Sequence, residues 1–397
     1  MEKIYDITLF GATGFTGKLT AEYLANKAAK EGFRFAIAGR NQVRLKQIQK
    51  ELESKFHGLT ISLVYADSYR ADTLFEMACK SKIIISTVGP YLKYGDPLVK
   101  ACIDGGANYL DITGEGQFVE NMFRLYHKRA KESKLKIINC CGYDSIPSDM
   151  GVYFGMKEFF EPTTVEVECF IRVESKSNDP FASLKSFSGG TWHSAIGMMQ
   201  PSEIERRENF LSYIASTAKE DRKISQIPFQ FRYRENQNWI GVPLPFVDVE
   251  VVLRSAAGLE NYGKDFSYGH YAAISNVSSL LLGFLGVSSI FTLAQFELGR
   301  NILLSLKSSG DGPPKEIRDT NEFTHSILVK TNKGNALVEV SGGDPGYGDT
   351  AKMVSESAIC LLLDSTPENY GVVTSALGLG EPLIKRLTQA GIRFQRL

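Results

Sequence analysis

The sequence has no excess of either charge. Its 397 residues include 45 lysines and arginines and 45 aspartates and glutamates, so the formal net charge at neutral pH is zero. Proteins that hold nucleic acid through bulk electrostatics carry a basic surface, and we therefore expect no nucleic-acid partner. Internal repeats and low-complexity tracts are also absent. The length exceeds that of one simple core and predicts two domains.

Cysteine is scarce, and its spacing carries no pattern. The six cysteines include no Cys-x-x-Cys pair. They are Cys79, Cys102, Cys140, Cys141, Cys169 and Cys360. We therefore expect a reducing compartment, and neither a disulfide framework nor a metal site. A basic-then-apolar leader is missing too, because Met1-Glu2-Lys3 runs directly into the first predicted strand, so we expect a cytoplasmic rather than a secreted protein.

What the sequence does contain, close to its start, is a glycine turn. Gly11, Gly14 and Gly17 separate a predicted strand over residues 4–10 from a predicted helix over residues 18–30. This order is typical of dinucleotide-binding folds, in which the first glycine turns the chain, the second admits the pyrophosphate and the third lets the helix pack closely. The predicted cofactor contacts in the turn are Gly11, Thr13, Gly14, Phe15, Thr16 and Gly17.

Two other interpretations of this turn are weighed against the dinucleotide site. One is an ordinary turn between a strand and a helix, without a ligand. The other is a P-loop, which the sequence disfavours because Ala12 stands where its first glycine should be. Leu19 also follows Lys18, where a P-loop needs a serine or threonine for magnesium.

The end of the second predicted strand, over residues 33–39, lacks a carboxylate. NAD enzymes use an acidic residue there to hold the ribose hydroxyls, whereas this chain has arginines, whose guanidinium groups suit a 2′-phosphate. NADP is therefore predicted over NAD, the alternative being that these arginines are simply solvated. The ends of the third and fourth strands should face the adenine and the nicotinamide. The remaining predicted contacts are Arg40, Asn41, Arg44, Asp67, Val88, Gly89 and Pro90.

Strands and helices alternate in the sequence up to about residue 140. Six such units predict an α/β fold, a Rossmann domain with a doubly wound parallel sheet over residues 1–155. An inserted α+β domain is predicted over residues 156–343, and a C-terminal helical segment over residues 344–397 that packs back on the Rossmann domain. In these later parts, strands are predicted over 163–174, 247–254, 323–331 and 335–342, and helices over 350–363 and 381–390.

The stretch over residues 271–296 contains no charged residue, although 23% of the whole chain is charged. Its length would suffice to cross a bilayer, but its serines and glycines weaken that interpretation. We expect peripheral membrane or lipid contact through this stretch, and the alternative is that it is buried in the domain or against a partner.

Several motifs together resemble the saccharopine dehydrogenase-like oxidoreductases, a group that includes trans-acting enoyl reductases. They lie at 11–17, 38–41, 88–91, 109–115, 141–149, 344–347 and 371–376. The resemblance implies a Rossmann domain with an inserted domain, NADP as cofactor, and reduction of an apolar enoyl or keto substrate of lipid type. Saccharopine dehydrogenase activity itself is not expected, because the arginines that would clamp its charged substrate are not identified. The alternative is a non-catalytic NADP-binding protein at a lipid surface, and a homodimer is a further partner hypothesis.

Hydride transfer needs a proton source or a donor that polarises the acceptor. Tyr143 is the first candidate, because its loop follows the sixth strand near the expected cofactor crevice; the alternative is that it only packs. The other candidates at strand ends are Tyr91, Tyr94, Glu115 and Asp144. No Tyr-x-x-x-Lys pair accompanies Tyr143, and the isolated His193 and His270 are expected to pack or to lie at the surface.

Overall fold

The structure is a computed structural model in which the chain divides into two compact units. It describes residues 2–175, 192, 196, 197, 199, 201–219, 221–234, 239–274, 289–306 and 315–397. The first unit comprises Met1–Tyr143 and Gly346–Ala390, and the second comprises Asp144–Pro345 and Gly391–Leu397. The division therefore follows Tyr143 rather than residue 155, and the C-terminal segment is shared between the units instead of belonging wholly to the first.

The first unit is built on a seven-stranded parallel sheet with helices. Its strands are β1 (Tyr5–Phe10), β2 (Phe35–Gly39), β3 (Ser62–Tyr65), β4 (Ser81–Ser86), β5 (Asn108–Asp111), β6 (Lys136–Ile138) and β14 (Gly371–Val373). Its helices are α1 (Phe15–Glu31), α2 (Gln42–Lys55), α3 (Ala71–Lys80), α4 (Tyr91–Gly105), α5 (Gly116–Glu132), α11 (Gly348–Leu363), α12 (Ser375–Gly378) and α13 (Gly380–Gln389).

The strand order of this sheet is β14-β6-β5-β4-β1-β2-β3. Apart from Tyr5 and Lys82 near their starts, the central strands β1 and β4 are buried, as their apolar runs require when helices cover both faces. The order reverses between β1 and β4, which is where doubly wound sheets bind their ligands. The predicted Rossmann fold is confirmed, and β14 adds a seventh strand that the sequence did not predict.

The second unit contains an eight-stranded mixed sheet in the order β15-β13-β12-β7-β11-β10-β9, with β8 paired to β11. Its strands are β7 (Thr164–Ser175), β8 (Lys223–Gln226), β9 (Arg232–Arg234), β10 (Trp239–Pro243), β11 (Asp265–Ile274), β12 (Asn321–Thr331), β13 (Gly334–Gly342) and β15 (Arg393–Arg396). Its helices are α6 (Ile146–Met156), α7 (Pro201–Thr217), α8 (Val247–Gly258), α9 (Glu297–Ser305) and α10 (Lys315–Arg318), with a 3₁₀ turn at Glu260–Tyr262.

The strand predicted over residues 247–254 is wrong, because these residues form the first two turns of α8. Every residue from Val247 to Ala256 is buried, so apolar side chains face all directions and no helical period is visible. Asp248 and Glu250 lie in the first turn, where negative charge favours a helix.

The uncharged stretch over residues 271–296 is not one element. Tyr271–Ile274 completes β11 and pairs with β10, while residues 275–288 lie outside the described part of the chain. The stretch ends in a short helical turn before α9. Among the described residues, no helix combines the length and apolar character that crossing a bilayer requires.

Helix α6 packs closely on β12 and β13, and glycine makes this approach possible. A Cβ placed on Gly151 would lie 2.3 Å from Cδ1 of Ile327 and 2.8 Å from Cγ2 of Val340. This packing explains why the chain after Tyr143 belongs to the second unit.

Gly151→Leu should therefore overpack this interface and lower the free energy of unfolding by about 1–3 kcal/mol. Gly197→Leu is the control, because none of the described residues places an atom within 4 Å of a Cβ at Gly197. Thermal unfolding followed by circular dichroism measures the difference. An unchanged midpoint for Gly151→Leu would contradict the packing described here.

Candidate functional site

The three glycines of the turn after β1 have different physical reasons. Gly11 has φ +96°, a left-handed conformation that disfavours other residues, and its Cβ would lie 2.7 Å from Thr87 Oγ1. A Cβ on Gly17 would lie 2.1 Å from the carbonyl oxygen of Gly11. Among the described residues, a Cβ on Gly14 would meet that same oxygen alone, at 3.4 Å. The protein itself therefore requires glycine at 11 and 17, while the space beside Gly14 is left open.

The N terminus of α1 lies at this open space. Gly14 is its N-cap, no side chain caps the helix, and no acidic residue occupies the first turn. The backbone N–H groups and the positive end of the helix dipole are thus suited to an anion. An exposed glycine beside an uncapped helix start fits the pyrophosphate of a dinucleotide.

Two other predicted residues make contacts that stabilise the turn. The ring of Phe15 packs edge-on against Tyr347, with the ring centroids 4.9 Å apart. The carbonyl of Thr16 accepts a hydrogen bond from the Thr20 hydroxyl at 2.9 Å. Thr13 is half-buried in the same turn.

Helix α1 is held by a buried carboxylate on α11. Glu356 accepts a hydrogen bond from the Tyr23 hydroxyl at 2.6 Å and pairs with Lys27 at 2.7 Å. Arg386 of α13 approaches its other oxygen at 3.5 Å. Burial and the neighbouring Glu356 raise the pKa of Tyr23, so this phenol stays protonated as the donor. The sequence did not predict this support.

At the carboxyl end of β2, the predicted residues divide into two roles. The Asn41 side chain accepts the backbone N–H of Arg44 at 3.0 Å and so caps α2. The side chains of Arg40 and Arg44 are exposed. They are therefore the residues of this group that remain suited to a phosphate.

At the carboxyl end of β3, Asp67 shapes a turn. Its carboxylate accepts the backbone N–H of Tyr69 at 3.1 Å, and its own N–H donates to Thr73 Oγ1 at 3.1 Å. Asp67 thereby fixes the position of Tyr69, whose side chain is exposed. Tyr69 was not predicted as a site residue.

The residues Val88, Gly89 and Pro90 connect β4 to α4, with a cis peptide bond between Gly89 and Pro90. Helix α4 begins at Tyr91, where Glu115 caps it. The two carboxylate oxygens of Glu115 accept the N–H groups of Tyr91 and Leu92, each at 2.9 Å.

This arrangement bears on two candidate proton donors. Both carboxylate oxygens of Glu115 are engaged by the N–H groups at the start of α4. The Tyr91 hydroxyl donates to the carbonyl of Ser86 at 3.0 Å, and burial raises its pKa well above the usual value. Each side chain therefore has a structural role within the first unit.

Behind this edge of the sheet lies a buried polar centre that the sequence did not predict. Asp111 is completely buried and accepts hydrogen bonds from the Asn139 amide at 2.7 Å and from the N–H groups of Thr113 and Cys140 at 3.1 and 3.0 Å. Burial outweighs these donors and raises the pKa of Asp111 to about 6. The signal in the sequence is a polar residue at the end of each of two adjacent buried strands.

The loop that carries Tyr143 is attached to the start of α11. The backbone N–H of Tyr143 donates to the hydroxyl of Thr350 at 3.1 Å, and a Cβ on Gly142 would lie 3.0 Å from Cγ2 of Thr350. The Tyr143 side chain is half-buried. The backbone of this loop is thus fixed to α11.

The other candidates lie elsewhere. Asp144 is exposed and is the first residue of the second unit, and Tyr94 lies beside Tyr69. His270 is buried in the second unit, where its Nδ1 is 2.9 Å from the Tyr268 hydroxyl, and burial lowers its pKa to about 3. His193 lies outside the described residues. Within those residues, no cluster of three or more His, Cys, Asp or Glu could hold a metal ion.

Comparison with known proteins agrees with this geometry. Residues 7–138 match the family model described as the saccharopine dehydrogenase NADP-binding domain. A trans-acting enoyl reductase of Mycobacterium tuberculosis is 31% identical, over 98% of this chain and 97% of that protein. The chain belongs to the saccharopine dehydrogenase-like oxidoreductases. A rat protein named saccharopine dehydrogenase-like oxidoreductase is 29% identical, over 99% of this chain and 97% of its own length.

A solved structure of saccharopine dehydrogenase from Saccharomyces cerevisiae shows the same fold. It covers 99% of this chain with a TM-score of 0.54 at 11% sequence identity. The family resemblance predicted from the motifs is confirmed. NADP is the cofactor of this oxidoreductase, and the open glycine turn is where the structure can accept its pyrophosphate.

The contrast between Gly14 and Gly17 gives a direct test of the cofactor site. Gly14→Val should place a side chain in the open space and weaken NADPH binding by at least about tenfold, with unfolding near wild type. Gly17→Ala should instead lower the free energy of unfolding by about 1–3 kcal/mol, because its Cβ meets backbone. Fluorescence titration with NADPH and thermal unfolding measure the two effects. Tight NADPH binding by Gly14→Val would show that the pyrophosphate lies elsewhere.

Proposed function

We propose that the protein uses NADPH to reduce an enoyl or keto group of an apolar, lipid-type substrate. The observation that carries this proposal is the 31% identity to a trans-acting enoyl reductase over almost the full length of both chains. The similarity extends over the second unit, which is the part in which Rossmann proteins with different substrates would differ most from one another. The cofactor site described above supports the same reaction class.

The residues of the first unit have separable roles in this proposal. The glycine turn and the uncapped start of α1 bind the pyrophosphate, and Arg40 and Arg44 favour the phosphate-bearing cofactor. NADPH, when bound, supplies the hydride. Because the turn is fixed by Gly17 and Glu356, the protein can hold the cofactor in one orientation.

Tyr143 is proposed as the group that polarises the acceptor or donates the proton. Tyr91 and Glu115 are both engaged in hydrogen bonds that build α4. Tyr143 lies in the loop that follows β6, at the carboxyl edge of the sheet. Its backbone is anchored to Thr350, so its phenol is presented from a fixed loop. A phenol hydrogen-bonded to a carbonyl or a developing enolate stabilises the charge that forms during hydride transfer.

Removing the Tyr143 hydroxyl tests this role. Tyr143→Phe should lower kcat by about 10²–10⁴ on the best substrate from a panel of enoyl and keto thioesters, with NADPH affinity unchanged. Tyr126→Phe is the matched control, since Tyr126 is also half-buried and donates to Asp96 at 2.9 Å. Full activity of Tyr143→Phe would exclude the role, and NADPH binding without oxidation by any substrate would favour a non-catalytic NADP-binding protein.

We also propose that the second unit contacts a lipid interface, through α9 rather than through residues 271–274 of β11. Leu298, Ile302 and Leu306 follow one another along one face and are 75%, 52% and 65% exposed. On another face Leu303 is buried. A helix with a buried face and a second apolar face in solvent suits insertion at the level of lipid headgroups.

The triple variant Leu298→Glu, Ile302→Glu, Leu306→Glu tests this contact. It should abolish co-sedimentation with phosphatidylcholine vesicles, because three charges would have to enter the interface. Leu125→Glu on α5 is the control, since Leu125 is 65% exposed in the first unit. Wild-type protein that stays in the supernatant, or a triple variant that still sediments, would contradict the proposal.

A further inference from the structure

Two tyrosines meet at the edge of the first unit where β2 and β3 end. Tyr69 lies in the turn after β3, and Tyr94 lies in the first turn of α4. Their hydroxyl oxygens are 3.0 Å apart and their rings meet edge-on at 5.5 Å. Tyr69 is 66% exposed, so this polar and aromatic pair is open to a ligand.

Two cations accompany the pair. The Lys93 ammonium lies 5.1 Å from the centroid of the Tyr94 ring. The hydrogen bond with Tyr69 lowers the pKa of Tyr94, and the positive charges of Lys93 and Arg40 lower it further. The charge of Arg40 acts in the same direction on Tyr69. Within the described part of the chain, neither cation forms an ion pair with a carboxylate, which leaves both charges available to an anion.

The position of this cluster in the sheet indicates which anion it meets. The carboxyl ends of parallel strands share one edge, and the adenosine half of a dinucleotide binds over the strands on the β1–β2–β3 side of the switch point. Arg40 directly follows β2, Tyr69 lies in the turn after β3, and Lys93 lies in the first turn of α4, so the site draws on three separate segments.

We propose that Lys93, Tyr94 and Tyr69 complete, together with Arg40, the site for the adenosine 2′-phosphate of NADP. This inference rests on the cofactor function stated above. In the tyrosine pair one O–H is used between the two rings, and the other remains to donate to a phosphate oxygen. Two cations and one phenolic donor match a phosphate that carries nearly two negative charges.

A phosphate-specific role predicts a selective loss of affinity. NADH lacks the 2′-phosphate, so removal of a phosphate contact should weaken the binding of NADPH and leave the affinity for NADH unchanged. A merely structural role for Lys93 or the tyrosines in holding α3 against α4 should instead affect both dinucleotides, or lower thermal stability, to a similar degree.

Calorimetric titration with 2′,5′-ADP, together with fluorescence titration with NADPH and NADH, separates these roles. Lys93→Met should weaken the binding of 2′,5′-ADP and of NADPH by about tenfold and change the affinity for NADH by less than about twofold. The double variant Tyr69→Phe, Tyr94→Phe should weaken the binding of the same two ligands by about threefold, because the rings remain and only the hydroxyl donor is lost. Lys100→Met is the control, since Lys100 lies further along α4 and pairs with Asp104 at 2.6 Å.

The outcomes distinguish this inference from the function on which it rests. If wild type prefers NADPH and Lys93→Met binds 2′,5′-ADP as tightly as wild type, the inference is wrong and the cofactor function stands. Equal weakening of NADPH and NADH by Lys93→Met also overturns it. Wild type that binds neither dinucleotide would contradict the cofactor function and this inference together.

Discussion

The buried carboxylate of Glu356 is the interaction on which the cofactor-binding unit depends. It joins Tyr23 and Lys27 of α1 to α11, although Tyr23 and Glu356 are 333 residues apart in sequence. A buried carboxylate is stable only when it is paired and hydrogen-bonded, and loss of one partner of such a group typically costs about 3–5 kcal/mol. Helix α1, whose N terminus is the proposed pyrophosphate site, is therefore positioned by the C-terminal part of the chain.

The same C-terminal part supports the site at two further points. Tyr347, just before α11, packs against Phe15 in the glycine turn, and Thr350 at the start of α11 holds the backbone of Tyr143. One helix start thus contacts both the turn proposed to receive the cofactor and the loop that carries the proposed proton donor. A shift of α11 would move both, which couples cofactor position to the chemistry that follows.

Much of the first unit was predictable because its signals are local. Buried parallel strands are apolar runs in the sequence, and Gly17 is required by a clash with Gly11, only six residues away. The helix at Val247–Gly258 was mistaken for a strand because a completely buried helix shows no periodicity. The Tyr69–Tyr94 pair and the Glu356 network form only when distant segments meet, so no pattern within one segment predicts them.

The two ends of the dinucleotide site differ in how firmly the protein builds them. The proposed pyrophosphate end is formed by backbone atoms. Close packing of α1 on the turn and a buried ion pair hold these atoms in place. Little conformational entropy therefore remains to be lost on binding. The proposed adenosine end consists of the exposed side chains of Arg40, Lys93 and Tyr69, which must be ordered when the ligand arrives. On this proposal the rigid end provides most of the affinity for a dinucleotide. The exposed end adds the smaller free-energy difference that selects the 2′-phosphate, and exposed residues of this kind can change between relatives without disturbing the fold.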